Sequence, residues 1–456
     1  MTRLAALATR IGGPFFGAQL LKLQVGSLGL TAISFVASVL LARTLGPSLF
    51  GAYTLVMSAG TTIGLARRLG QDYAATTQLA EGHSAGNRRK VRDALVFYVF
   101  MSVWTSVVVL PAAMLFAPWL GPLFFGPGGE TDLTTPLRLY LVQGFWAVIP
   151  GWTVIALQAS RRMGQLVMLE NASSLATAIL PVTLVLAGFG LLGVFTGQVL
   201  ASLLAVGIGY ILYRRLAAED PLMPSLRELA RGTVRPGIPL WPSTRFGLSI
   251  AFDKNLVSLY ILAPILLLAR FVPDDQVGQL RVALSYMAIP AVLLTPISRL
   301  LMVDLPRLRV TAPEQVRPAF LRVTLLGVAV SAALALPFAA MAWFAIPLLY
   351  GADYQGAPAL TLPLLMDAAT LGLGIAAGPI FRTYDRTDLP IRTSIVILLL
   401  GFPATYLLAG WAGPLGAALA YGAMILASRL VSYVQCLRII PSVPAGTGTG
   451  IGTAAR

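Results

Sequence analysis

ARTLGPSLFGAYTLVMS, at residues 42–58, aligns with ARFVPDDQVGQLRVALS, at residues 269–285, at an offset of 227 residues. Two further matches occur in the same order in both halves. ALQASRRMGQLVMLEN from residue 156 aligns with IFRTYDRTDLPIRTSI from residue 380, at offset 224. GLLGVFTGQVLASLL from Gly190 aligns with GPLGAALAYGAMILA from Gly413, at offset 223. Three matches at a nearly constant offset predict that the chain is a duplicated bundle.

The composition predicts that this bundle lies in a membrane. Of the 456 residues 57% are hydrophobic and only 11% are charged, with a mean hydropathy of +0.80, whereas soluble domains average about 25% charged residues. Apolar runs of about 20 residues are long enough to cross a bilayer. The sequence contains twelve such predicted spans, at 23–42, 49–66, 94–117, 137–157, 166–188, 192–213, 246–268, 281–303, 321–347, 359–381, 393–411 and 415–437.

The basic residues predict the orientation of the spans. Arg and Lys concentrate in every second connection, and the alternate connections are short and nearly free of them. This positive-inside pattern predicts a multi-pass protein of the cytoplasmic (inner) membrane with both termini in the cytoplasm. The net charge of +15 does not indicate nucleic-acid binding, because no basic stretch alternates with aromatic residues that would stack on bases.

The predicted fold is an all-α polytopic membrane protein with two six-helix lobes related by a parallel pseudo-two-fold repeat, because an even number of spans brings both lobes in from the same side. We expect an N-terminal lobe at 1–213, a cytoplasmic connection at 214–237, a C-terminal lobe at 238–440 and a flexible tail at 441–456. In the connection, SLRELARG predicts a short helix capped by Ser225 and Glu228. Residues 3–20 are mildly amphipathic and are expected at the inner interface or, at their start, disordered.

Two residue types limit the chemistry. Cys436 is the single cysteine and His83 the single histidine, so an internal disulfide, a Cys/His zinc site and a Ser-His-Asp triad are not expected. Arg3 and Arg10 precede a span without a small-residue cleavage motif, so we expect that the first span is retained as an insertion signal.

A pair of cations predicts a site for an anionic substrate. Lys22 begins span one and Arg245 begins span seven, and the repeat offset of 223 superimposes them. Two cations facing a cleft between the lobes would suit an anionic head group, which arginine can bind through two parallel hydrogen bonds. The alternative is that both side chains snorkel to lipid phosphate.

Several charges lie deeper in the predicted spans. Asp253 and Lys254 lie in span seven, and at least one is expected to line the cavity. Asp253, Asp367 and Glu170 are candidates for coupling to H⁺ or Na⁺, although each could instead pair with another helix, cap a helix or bind water. The repeat counterpart of Asp367 is Gln143. Arg299 and Arg429 are expected to snorkel or to pair near helix ends.

Four segments carry a resemblance to a known family. LARTLGPSLFGAYTLVMS at 41–58, the Asp253-Lys254 pair, PLLYGADYQGAPALTLPLL at 347–365 and GPLGAALAYG at 413–422 resemble bacterial O-antigen-type polysaccharide flippases. These belong to the multidrug/oligosaccharidyl-lipid/polysaccharide exporter (MOP) superfamily. The chain departs from the family pattern in having a longer stretch between Asp253 and Gly278, and Leu280 where a tyrosine is usual.

The resemblance implies a transporter that works by alternating access. It would flip a polyprenyl-diphosphate-linked oligosaccharide from the inner to the outer leaflet for surface polysaccharide synthesis, with no cofactor. The implied partners are the lipid-linked oligosaccharide, membrane lipids and other polysaccharide-assembly proteins. Lys22, Arg245 and Lys254 would face the diphosphate.

Two alternatives remain open. One is an ion-coupled multidrug antiporter of the same superfamily, although the excess of cations over carboxylates within the spans disfavours cationic drugs. The other is a membrane polysaccharide polymerase or sugar transferase. Such an enzyme would need a large outer loop or paired acids, and the outer connection at 118–136 offers only Glu130 and Asp132. We therefore expect no catalysis.

Overall fold

The computed structural model describes residues 2–125, 132–291, 301, 305, 308–309, 311–384, 386 and 388–441. Within these ranges the side chains of residues 2–31, 120–125, 249–250 and 253 are not described. All regular secondary structure in the described residues is helical. Helices suit a chain this apolar, because a helix satisfies its own backbone hydrogen bonds where lipid cannot.

Seven long helices build the first part of the chain: α1 Thr2–Arg67, α2 Gln71–Ser84, α3 Arg88–Phe125, α4 Thr134–Trp146, α5 Val148–Ala159, α6 Met163–Leu184 and α7 Gly190–Glu219. A π-helical turn, Val185–Phe189, separates α6 from α7. Helix α2 was not predicted, because the sequence there reads only as a basic connection. Residues 3–20 are helical and continuous with span one.

The second part begins after a short connecting helix, α8 Leu226–Val234, and contains α9 Leu240–Leu268, α10 Asp274–Met287, α11 Val316–Tyr350, α12 Ala357–Ala368, α13 Leu371–Ile375, α14 Ala377–Thr383 and α15 Asp388–Ile439. The long stretch at the start of this lobe is one helix, α9, with Pro264 inside it. The tail at 442–456 and Arg299 lie outside the described residues.

The helices are long and apolar enough for a multi-pass membrane protein. By length and composition five helical segments in the described residues can cross a membrane, or seven if each bent pair is one span. Three of the five are interrupted by glycines with positive φ, at Gly46 (71°), Gly188 (91°) and Gly413 (55°). Each interruption falls at the end of one predicted span or between that span and the next, so each of these long segments contains two predicted spans.

The backbone repeats itself at the offsets that the sequence predicted. Gly190 has φ 52° and ψ −139°, and its counterpart Gly413 has φ 55° and ψ −134°. Both begin a GxLG segment, and both conformations are ones that residues with a Cβ avoid. The pairs α4–α5 and α12–α13, in spans four and ten, both bend by 40°. These shared irregularities confirm the duplicated fold.

The apolar core shows how the lobes meet. We call the end that carries connections 42–51 and 269–278 the outer end, following the charge pattern, and the opposite end the inner end. One buried cluster joins both lobes and includes Phe50, Leu55, Val277 and Tyr354. Two other buried clusters lie near the inner end, one made only of residues 74–229 and one only of residues 305–440. The lobes therefore share a core near the outer end and have separate cores near the inner end.

The predicted helix in the connection is confirmed. Ser225 caps α8: its Oγ accepts from the Glu228 N–H at 3.3 Å, and the Ser225 N–H donates to Glu228 Oε2 at 2.7 Å. These two bonds form the reciprocal capping box that the sequence indicated. The hydrogen bond from the Ser225 backbone, aided by Arg88, lowers the pKa of Glu228.

Candidate functional site

The outer ends of the lobes are held together by a close backbone contact between repeat-related segments. A Cβ added to Gly51 would lie 1.7 Å from the Asp274 carbonyl oxygen, and one added to Gly278 would lie 2.3 Å from the Pro47 carbonyl oxygen. Pro47 is related to Asp274, and Gly51 to Gly278, by the offset of 227. The two contacts are therefore the same contact on either side of the pseudo-two-fold axis. We call it the outer seam.

Aromatic residues extend the outer seam. Tyr354 donates a hydrogen bond to the carbonyl oxygen of Ala42 at 2.9 Å, and its ring packs edge-on against Phe50 at 6.4 Å between centroids. Tyr354 is buried. The seam thus joins span one and span two to the turn before span ten, and it closes the outer end between the lobes.

Nearer the inner end, helix α9 packs against the N-terminal lobe. Gly247 of α9 packs against Gly70, where a Cβ on Gly70 would lie 1.9 Å from the Gly247 carbonyl oxygen. Asn255 donates to the carbonyl oxygen of Leu65 at 3.2 Å. Helix α9 thereby forms one wall between the lobes, and it carries three of the predicted site residues.

A cavity of about 230 Å³ lies inside the C-terminal lobe next to α9. Its lining includes Ile261 from α9, Arg281 from α10, Asp367 from α12 and Tyr421 from α15, with apolar side chains around them. Arg281 and Asp367 are the charged side chains of this lining. A mostly apolar cavity with a few converging polar groups is the usual form of a ligand site.

The carboxylate of Asp367 is paired. Tyr421 donates to Asp367 Oδ2 at 2.7 Å, and Arg429 donates to Oδ1 at 2.5 Å. Arg429 also donates to the Asp367 carbonyl oxygen and, at 3.1 Å, to Thr370 Oγ1. This network holds α12 to α15 at the bend of span ten. It also neutralises the charge of Asp367.

Arg281 is the uncompensated charge of the cavity. Among the described residues it makes no ion pair, and it interacts electrostatically with the hydroxyl groups of Tyr53 and Tyr350. Tyr53 belongs to the N-terminal lobe, so Arg281 lies near the boundary between the lobes. With Asp367 neutralised by Arg429, the cavity has an excess positive charge.

Comparison with known proteins gives the family. Residues 23–303 match the polysaccharide biosynthesis protein family, which is more than half of the chain. The chain belongs to that family. No curated protein matches this polysaccharide biosynthesis protein in sequence.

Solved structures share its fold. An inward-facing multidrug resistance MATE family transporter of the MOP superfamily has a TM-score of 0.74 at 13% identity, covering 91% of this chain and 98% of its own. The lipid II flippase MurJ, in an inward closed conformation, has a TM-score of 0.69 at 12% identity, covering 91% and 89%. An outward-facing MATE transporter has a TM-score of 0.60 at 14% identity, covering 92% and 95%. The predicted two-lobe fold is confirmed.

Family and fold together identify a multi-pass membrane protein of the polysaccharide biosynthesis protein family, with the two-lobe fold that MATE transporters and MurJ share. The family resemblance predicted from four short segments is therefore confirmed. These structures cover 91–92% of the chain, so the shared fold extends over most of it.

The structure does not bring the predicted site residues of this polysaccharide biosynthesis protein together in one described site. The side chains of Lys22 and Asp253 lie outside the described residues. Arg245, Lys254 and Glu170 are exposed, and none makes an ion pair with another described residue. Lys254 lies seven residues before Ile261 on α9, so both share a helix face that leads to the cavity.

For Asp367 and Arg429 the sequence left pairing open beside ion coupling and snorkelling, and the structure shows that they pair with each other. The two residues are 62 positions apart and pair across the lobe. Arg281 and Tyr421 were missed as site residues. A sequence signal existed for Arg281, because it interrupts an apolar run in QLRVALSYM and its repeat counterpart is Thr54. A charge present in only one copy of a repeat indicates a role that the other copy lacks.

Proposed function

We propose that this protein flips a polyprenyl-diphosphate-linked oligosaccharide from the inner to the outer leaflet of the cytoplasmic membrane for surface polysaccharide synthesis. The observation that carries the proposal is the excess positive charge of the C-terminal cavity at Arg281. A diphosphate is a dense anion that arginine binds through two parallel hydrogen bonds. Family membership over residues 23–303 supports a substrate from polysaccharide synthesis.

In the proposed cycle the substrate enters from the inner end, where the lobes have separate cores. Lys22, Arg245 and Lys254 attract the diphosphate, and Arg281 holds it beside the lobe boundary. The outer seam then separates, and the substrate leaves to the outer leaflet. The protein breaks no covalent bond in this cycle, and it works with other polysaccharide-assembly proteins that make the substrate and extend the product.

Coupling to H⁺ or Na⁺ is part of the proposal, with Asp253, Asp367 and Glu170 as the candidate carriers. Asp367 is the candidate whose contacts are described. Protonation of its carboxylate would release the charge-assisted bond from Arg429, and it would leave two cations in the lobe to hold the diphosphate. The test compares flux through Asp253→Asn and Asp367→Asn in liposomes. We expect flux to lose its dependence on an ion gradient in the variant whose aspartate carries the ion.

The decisive experiment replaces Arg281 with Gln in cells that depend on this protein for surface polysaccharide. We expect roughly a tenfold fall in flipping, since a charged hydrogen bond contributes about 1.5–3 kcal/mol, with lipid-linked oligosaccharide accumulating in the inner leaflet. Arg322→Gln is the matched control, because Arg322 is an exposed arginine of the same lobe that does not line the cavity. Equal flipping in the two variants would exclude the cavity as the substrate site.

A multidrug antiporter is the second candidate, favoured by the TM-score of 0.74 to a MATE transporter. Deletion of the gene separates the two. A flippase predicts accumulated lipid-linked oligosaccharide with unchanged drug resistance, and an antiporter predicts the reverse. A polymerase would instead leave flipped, single-unit oligosaccharide in the outer leaflet.

A further inference from the structure

A groove of about 330 Å³ lies on the N-terminal lobe, away from the C-terminal cavity. Its walls come from α3, from the bend between α4 and α5, and from the connecting helix α8. Val99, Val103 and Val107 form a stripe of α3 along it, and Trp146 lies at the bend. Val107 and Trp146 are exposed. The groove is therefore an apolar channel on the outside of the bundle, and its volume is in the range of ligand sites.

Helix α8 is held tightly against α3 and forms the inner edge of the groove. A Cβ on Gly232 would lie 2.7 Å from Val96 Cγ1, and Trp104 donates from Nε1 to the Thr233 carbonyl oxygen at 2.9 Å. Leu226, Ala230 and Thr233 face the groove. A rigid amphipathic helix at this level is typical of the interface between apolar membrane and water.

The other side of α8 carries a stripe of arginines. Arg227, Arg231 and Arg235 recur every four residues and are all exposed. Arg227 and Arg231 make no ion pair with a described residue, and the acid of the helix, Glu228, is already bound by Ser225 and Arg88. At 100° per residue, Arg227 lies about 60° around the helix from Ala230 of the groove face. An anion bound by the arginines is therefore adjacent to the groove.

Trp152 of α5 adds an apolar wall to the groove. Its ring packs edge-on against Tyr213 of α7, at 6.0 Å between centroids. Its Nε1–H is buried and has no partner among the described residues. The groove is thus lined mostly by apolar side chains from α3, α5 and α8, which suits an acyl chain.

We infer that this groove binds an anionic phospholipid of the inner leaflet. The phosphate contacts Arg227 and Arg231, and one acyl chain lies along the valine stripe of α3. The charge of the arginine stripe selects an anionic lipid over a zwitterionic one, because each basic residue near an anionic lipid adds to the attraction. The inference is independent of the transported substrate.

The test measures binding of phosphatidylglycerol to the purified full chain by native mass spectrometry and by thermal shift, with phosphatidylcholine as the comparison lipid. We expect phosphatidylglycerol to bind and stabilise and phosphatidylcholine to do neither. The double variant Arg227→Gln/Arg231→Gln should weaken binding by roughly 30-fold, because each arginine contributes about fivefold. Equal binding of the two lipids would refute the inference.

A matched variant separates a built site from diffuse attraction. Arg214→Gln/Arg215→Gln removes the same charge from exposed residues at the end of α7 that do not line the groove, so binding should change by less than about twofold. If the α7 pair weakens binding as much as the α8 pair, the groove is not a phospholipid site. Displacement of phosphatidylglycerol by a polyprenyl phosphate at lower concentration would assign the groove to the substrate and overturn the inference.

Discussion

The interiors of the two lobes differ in charge at four repeat-related positions. The N-terminal lobe has neutral side chains there, and the C-terminal lobe has three charged side chains and a tyrosine, in the pairs Thr54 and Arg281, Gln143 and Asp367, Gln198 and Tyr421, and Val206 and Arg429. The two backbones share the 40° bend of spans four and ten and the conformations of Gly190 and Gly413. The difference in charge therefore comes from the side chains.

The comparison separates the symmetric elements of the two lobes from the asymmetric ones. Symmetric elements lie where the lobes must meet, at the outer seam of Pro47–Gly51 and Asp274–Gly278. Asymmetric elements lie inside one lobe, where the charges of Arg281, Asp367 and Arg429 form the cavity and its support. The contact between the lobes is thus symmetric, and the charged cavity is present in one lobe only.

The largest effect is expected from the ion pair that only one lobe contains. Asp367→Ala leaves Arg429 without its carboxylate, and removing one partner of this half-buried, hydrogen-bonded pair costs about 3 kcal/mol. Gln143→Ala, at the equivalent position of the N-terminal lobe, removes no charge partner and should cost about 1 kcal/mol or less. Unfolding of both variants in mixed micelles, followed by circular dichroism, measures the difference.

A compensating variant tests whether the loss belongs to the pair. Replacing both partners, as Asp367→Leu with Arg429→Met, removes the unpaired charge and should recover most of the stability. If Asp367→Ala and Gln143→Ala destabilise the protein equally, the ion pair of the C-terminal lobe does not contribute more to stability than the neutral side chains of the N-terminal lobe.

At the outer seam we expect equivalent substitutions in the two lobes to have equal effects on stability, in contrast to those at the cavity. Gly51→Ala and Gly278→Ala each place a methyl group against a backbone carbonyl, and each should cost about 1–3 kcal/mol because neither wall can yield without moving a helix. The double variant should cost less than the sum, because either substitution alone already separates the segments.

Thermal unfolding of the two single variants and the double variant measures this coupling. Gly207→Ala is the control, since nothing lies within 4 Å of the added Cβ, and it should leave stability unchanged. Strongly unequal single effects, or strict additivity, would show that the seam is not one reciprocal contact.

The sequence predicted the helices and the repeat of this molecule better than the contacts around its cavity. Offsets, hydropathy and the Ser225–Glu228 spacing are local or periodic signals, and they predicted the repeat, the spans and helix α8. The pair of Asp367 and Arg429 depends on the rotation of two helices 62 residues apart, which no local pattern encodes. Arg281 stood out only through its neutral counterpart, Thr54. The predicted pairing of Lys22 with Arg245 stays a prediction, because the Lys22 side chain is not described.

The smallest effects come from the equivalent positions 198 and 421, and they should have opposite signs. The buried Oε1 of Gln198 has no hydrogen-bond partner among the described residues, so Gln198→Leu removes an unsatisfied polar atom and should stabilise the protein by about 0.5–1 kcal/mol. Tyr421 donates to the ionised Asp367 at 2.7 Å, so Tyr421→Phe should destabilise it by about 1.5 kcal/mol. The same unfolding measurement resolves both. Destabilisation by Gln198→Leu would mean that the N-terminal lobe also relies on a polar contact at this position, and the contrast between the lobes would then be one of charge and not of polarity.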